Sequence, residues 1–156
     1  MVNKKTTPST KKSKTLYYQA VGRRKESSAR ARLYLPEKKD IKVLGNVLEI
    51  GKIFVNGLEA KNYFPSQPCV ELLKKPLALT DSIDRFAVVA TVVGGGKIGQ
   101  SVALSLAISR ALEKVNKDYR AVLKAEGLLS VDARARERRK VGMGGKARRR
   151  RQSPKR

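Results

Sequence analysis

The residues of this chain that could carry chemistry are few in kind and mostly cationic. Gly94-Gly95-Gly96-Lys97-Ile98-Gly99 joins an apolar strand pattern to a helical one. Its backbone N–H groups, the positive end of the helix and the Lys97 ammonium could therefore meet an anion together. Gly94, Gly96 and Gly99 match the spacing of a dinucleotide loop, but such a loop needs a further parallel strand and an acid to hold a ribose. Here the chain instead continues through a second helical pattern into a basic tail. A Walker-type loop fails too, because Gln100 and Ser101 follow Gly99 where a lysine is required. Two readings stay level: an RNA phosphate site, and a glycine-rich connection that lets the helix pack closely.

Other site chemistries are closed by composition. With no His and one Cys among 156 residues, there is no Ser-His-Asp triad, no Cys-His dyad, no His-based metal site and no multi-cysteine zinc site. Cys69 has no partner for a metal or an intramolecular disulfide and reads as a small packing residue, which points to a reducing compartment. Asp81 and Asp84 sit in turn-like sequence, where capping explains them better than catalysis. No catalytic residue, metal ligand or cofactor is expected.

Charge is the dominant signal. The formal net charge is +23, and it is concentrated at the two ends. Residues 1–32 carry ten cations against one acid and 132–156 carry twelve against two, while 33–131 are nearly balanced. Basic arms flanking a balanced core need a polyanion, and a nucleic-acid backbone gives them affinity through counterion release. An anionic membrane competes less well, because the C-terminal arm has few apolar anchors and no lipidation signal. No membrane-spanning run and no apolar signal segment is read, so a soluble, cytoplasmic protein is expected.

These residues must be positioned by a folded middle. Residues 1–15 read as a disordered basic extension, 16–131 as one core and 132–156 as an extended tail. Leu16 to Val21 suits a strand. Ser27 to Leu35 alternates strictly, with Ala29, Ala31, Leu33 and Leu35 on one face and Arg30, Arg32 and Tyr34 on the other. Gly22-Arg23-Arg24-Lys25 reads as the basic turn between them, so Arg23, Arg24, Lys25, Arg30 and Arg32 would face phosphates. Of the Tyr17-Tyr18 pair, which alternates faces in a strand, at most one packs inward, and the other could stack on a base or sit at a rim; neither role is assigned.

Residues 36–50 read as an insertion with a small hairpin around Gly45-Asn46. Lys52 to Val55 is a short strand closed by Asn56-Gly57. Short helices are predicted over Leu58 to Phe64 and over Pro68 to Lys75, the latter ending before Pro76. Phe86 to Val93 is apolar on both faces, as a central strand would be. A long helix follows over about Gly99 to Asn116 with Ser101, Ser105 and Ser109 as a polar stripe, then a shorter one over Asp118 to Glu126, stopped by Gly127.

The C-terminal arm is the strongest single feature. Arg134, Arg136, Arg138, Arg139 and Lys140 lead through Gly142, Gly144 and Gly145 into Lys146, Arg148, Arg149, Arg150 and Arg151, and the chain ends at Lys155-Arg156. Glycines forbid one stiff helix, so the arm can follow an irregular path on RNA, with guanidinium forks suited to phosphates and to stacking on bases. Charge alone equally describes a free nucleic-acid chaperone or nucleoid-type packaging protein.

Together these stretches resemble small-subunit ribosomal protein nine, of the bacterial or organellar type. The likeness rests on Gly22 to Lys25 with Ser28-Ala29-Arg30, on Gly51 to Gly57, on Pro76-Leu77, on Gly94 to Gly96 with Gly99-Gln100, and on Asp132-Ala133-Arg134 through Arg138 to Gly142 and Lys155-Arg156. The resemblance implies an α/β sandwich in which a four-stranded, mostly antiparallel sheet is backed by helices, of the ribosomal-protein-S-five domain-two-like group. It implies a non-enzymatic place in the head of the small subunit, on the three-prime major domain of the rRNA beside neighbouring head proteins. On this likeness Arg134 to Lys140 and Arg148 to Arg151 thread rRNA, and Lys155 and Arg156 reach the anticodon arm of peptidyl-site tRNA.

Overall fold

The computed structural model describes residues 17–35, 41–43 and 46–141. The expected 1–15 extension, the 36–40 link and the tail residues from Gly142 onward, among them Lys146, Arg148 to Arg151, Lys155 and Arg156, lie outside the described residues.

Strands β1 (Tyr17–Arg24) and β2 (Ser27–Tyr34) form an antiparallel hairpin in which Arg24 pairs with Ser27. The connection is therefore Lys25-Glu26 alone, with Lys25 in the left-handed region at φ 51°. The four-residue basic turn expected from sequence is corrected accordingly: Gly22, Arg23 and Arg24 belong to β1. Small hairpin β3 (Ile41–Val43) and β4 (Asn46–Leu48) forms a separate two-stranded sheet. Next come β5 (Ile53–Val55), the two-residue β6 (Leu58–Glu59), α1 (Ala60–Tyr63) and α2 (Gln67–Leu79). The chain closes with β7 (Ala87–Val93), α3 (Lys97–Val115) and α4 (Tyr119–Ala125).

The main sheet has five strands in the order β1-β2-β7-β5-β6. It has one strand more than expected, because Leu58-Glu59 folds back on β5 before α1 begins. It is also not wholly antiparallel, since β5 and β7 run parallel, Ile53 beside Val88 and Val55 beside Ala90. Short β5 can lie parallel to β7 because α1 and α2 intervene as the crossover such a pair requires.

Helix α3 lies across β1 and β2 with α2 beside it, and the core forms between them. Ala20, Ala29, Ala31, Leu33, Val88, Ala90 and Val92 from the sheet meet Leu73 and Leu77 of α2 and Leu104, Ile108 and Leu112 of α3. Gly22 allows the close approach, since a Cβ there would run into the Ala103 carbonyl oxygen and lie 2.7 Å from the Ala107 nitrogen. The three serines of the polar stripe on α3 are buried, and Ser109 Oγ bonds back to the Ser105 carbonyl. Pro76 falls inside α2 and does not end it. The proline costs the helix one backbone bond, and the end comes at Thr80, whose hydroxyl donates to the Pro76 and Leu77 carbonyls. Gly127, at φ 71°, stops the last helix as its position predicts.

Candidate nucleic-acid interface

Strand alternation sends one set of β1 and β2 side chains to the helices and the other set away from them. Arg23, Arg30 and Arg32 lie on the outward set, with Thr91 and Val93 of β7 continuing that surface. Arg23 and Arg30 are exposed and have no intramolecular polar partner among the described residues. Arg32 is held. Its Nε donates to Gln19 Oε1 at 3.0 Å, and its guanidinium stands 5.5 Å from the Tyr17 ring centroid. Tyr17 itself is 45% exposed and leans on Tyr34, centroids 5.4 Å apart. An oriented guanidinium on a half-open aromatic ring is a surface on which a base can stack, with Arg30 next to it on β2 and Arg23 further toward the turn, both with all their donors available for phosphate.

Tyr34, expected on the same cationic face, is almost fully buried there, in a small second apolar cluster with Ala87, Val89 and Phe54. Tyr34 therefore adds nothing to the open surface, which runs from Tyr17 and Arg32 through Arg30 to Arg23 beside the turn. Lys25 extends it from the turn, exposed and without a polar partner among the described residues.

Arg24 alternates to the helix side and is turned onto the protein itself. Its guanidinium pairs with the Asp132 carboxylate at 2.9 Å and donates to the Asp132 and Arg134 carbonyls, the latter at 2.7 Å. Asp132 in turn accepts from the backbone and the side chain of Arg134. The Arg134 side-chain and backbone bonds, with the charges of Arg134 and Arg24, hold the Asp132 carboxyl far below the usual carboxylate range. The same contact raises the pKa of the Arg134 guanidinium. Among the expected RNA-facing arginines, Arg24 thus anchors the tail to the hairpin, and Arg134 shares that anchor while its side chain stays 86% exposed. Arg136, Arg138, Arg139 and Lys140 follow in sequence, exposed and without regular secondary structure.

The glycine loop divides between its two readings. A Cβ on Gly94 would collide with the Glu26 carbonyl and one on Gly95 with Ser27 Oγ, while one on Gly99 would lie 2.9 Å from that same hydroxyl. Those three glycines let the loop pack on the β1–β2 turn. Gly96 meets nothing within 4 Å and caps α3 with no side-chain bond, so its side of the loop is open. Lys97, exposed at the first helical position, stands 3.4 Å from the Tyr63 ring centroid. Tyr63 donates to Gln100 Oε1, and Gln100 donates to the Gly94 carbonyl at 2.9 Å, a chain of bonds that braces the loop. The cation is therefore oriented beside an open helix N-terminus.

Cations that sequence reading passed over also emerge. Arg110 and Lys114 stand one turn apart on α3, a signal available in the sequence but overlooked beside the apolar stripe of the same helix, and Lys117 follows just past its end. Among the described residues no group of three or more His, Cys, Asp or Glu side chains could hold a metal, and no helix is long and apolar enough to cross a membrane. Compared with known families, residues 22–156 match the family model described as ribosomal protein S9/S16.

Proposed function

Because the chain belongs to the ribosomal protein S9/S16 family, and so to the small ribosomal subunit and its rRNA, we propose that it binds the three-prime major domain in the subunit head and touches peptidyl-site tRNA through its C-terminal tail. The family is structural and non-enzymatic, and the ribosome is where its members reside. The observation that carries the proposal is the anchored tail: Arg24 and Asp132 fix the root of a basic arm beside a sheet surface that bears Arg23, Lys25, Arg30 and Arg32.

In this reading the work is electrostatic positioning. Arg23, Lys25 and Arg30 neutralise rRNA phosphates, and Arg32 on Tyr17 offers a stacking plane. Lys97 and the open side of the loop at Gly96 add a further phosphate contact at the start of α3. Arg136, Arg138, Arg139, Lys140, Lys146 and Arg148 to Arg151 follow rRNA outward from the anchor. Lys155 and Arg156, at the end of that path, grip the tRNA anticodon arm. Neighbouring head proteins complete the surroundings, in a cytoplasmic or organellar ribosome.

The test is a titration of a three-prime major domain transcript with the full chain at several salt concentrations. Neutralising about 6–10 phosphates should weaken binding by roughly 10³–10⁵ between 50 and 200 mM salt. A flat salt response, or equal affinity for duplex DNA, would refute the proposal in favour of a free nucleic-acid chaperone.

A further inference from the structure

β1 is the outer strand of the sheet, so one side of its backbone has no strand partner among the described residues. Helix α3 covers that edge with cations. Arg110 donates to the Val21 carbonyl at 2.9 Å, and the Lys114 ammonium donates to the Gln19 carbonyl at 2.7 Å. Lys117 and Arg120 continue the line toward α4, and Arg120 is paired with Glu113. With Val21 these side chains line an open groove of about 670 Å³.

Sealing a free strand edge accounts for only part of this arrangement. Arg110 and Lys114 each give one donor to β1, and a guanidinium has five N–H donors and an ammonium three. The bonds to β1 therefore hold two cations in fixed positions with most of their donors unspent. Lys117 takes no part in sealing the edge: it is exposed and has no polar partner among the described residues. Four cations face one carboxylate, and the only sizeable apolar group in the lining is the partly exposed Val21. A protein partner would ordinarily bury aromatic or aliphatic side chains at such a centre, whereas a phosphate backbone needs only spaced cations with free donors.

We propose that this groove is a second phosphate track, occupied by a stretch of rRNA sugar-phosphate backbone running along the β1 edge. It rests on the rRNA-binding reading above, but it is separate from the hairpin surface, the glycine loop and the tail. Arg110 supplies a fork for bidentate phosphate contact, Lys114 and Lys117 supply point charges, and Glu113 restrains Arg120.

The experiment titrates the same transcript with the full chain carrying Lys117→Ala and Arg120→Ala together, which leaves both bonds to β1 in place. The expected result is weaker binding with the slope of log K against log salt reduced in magnitude by about 2, at unchanged thermal stability. Glu113→Gln should strengthen binding, a gain that mere loss of structure does not produce. If the double variant binds with the slope and affinity of the native chain, the groove assignment is overturned while the rRNA-binding reading stands. If it binds RNA normally but enters small subunits poorly, the groove serves an acidic protein neighbour, which also overturns the assignment. A native chain that does not bind the transcript removes the underlying reading and this one with it.

Discussion

The Arg24 guanidinium lies 2.9 Å from the Asp132 carboxylate, joining the last residue of β1 to a position 108 residues further along the chain. This pair converts a charged tail into a directed one. Three contacts from one side chain, the carboxylate and two carbonyls, hold the tail root at the hairpin end of the sheet. An arm anchored at its root searches a smaller volume than one leaving the core without restraint.

Arg24→Ala and Asp132→Asn are therefore expected to free the tail root while leaving the core folded. Limited proteolysis between Val131 and Arg136 should speed several-fold, with little change in Tm. Native-like protection of that segment in both variants would show that the anchor does not hold it.

The same anchor has a pH dependence of defined sign. The folded carboxyl of Asp132 is depressed, chiefly by its bonds from Arg134, so its contribution is fully present above the unfolded value of about 4 and fades as pH falls below it. Amide exchange at Arg134, whose N–H donates to Asp132, should accelerate below about pH 4 relative to core amides once intrinsic rates are removed. Asp132→Asn should abolish that difference.

Two glycines with different surroundings test the packing of α3. Gly22→Ala places a methyl against the α3 backbone, where neither partner can move aside. It should cost about 1–3 kcal/mol, and roughly 4–8 °C in Tm per kcal/mol. Gly96→Ala, with open space around it and an ordinary φ of −105°, should leave Tm nearly unchanged. Calorimetry on both variants decides, and equal effects would contradict the packing described.

Asn56 is a less obvious support. At φ 50° it turns the chain after β5, and its side chain both donates to the Val92 carbonyl and accepts from the Val92 N–H, each at 2.9 Å. Asn56→Ala leaves both Val92 groups unpaired and should cost about 1–3 kcal/mol by thermal unfolding. Asn56→Asp should also destabilise, because a second acceptor then faces the Val92 carbonyl.

Local signals made much of this legible in the sequence. Alternation in Ser27 to Leu35, the apolar run ending at Val93, the helical spacing of Leu104, Ile108 and Ala111, and the stop at Gly127 all act within a few residues. The parallel pairing of Ile53 with Val88 was not legible, because it depends on a crossover and leaves no periodicity of its own. Leu58-Glu59 was too short to show a strand pattern. Arg24 looked like any other cation of its cluster. Its partner, Asp132, is distant in sequence, and only folding reveals that this charge is spent within the protein. The glycine loop read ambiguously for a related reason: Gly95 and Gly96 are identical in sequence, yet one lies against Ser27 and the other is open.

The residence and grip of the chain are tested most directly by quantifying it across a sucrose gradient of cell extract at high salt and moderate magnesium. Near-stoichiometric recovery with small subunits and polysomes is expected of a ribosomal constituent. A chain that stays at the top of the gradient, or follows DNA, contradicts that residence.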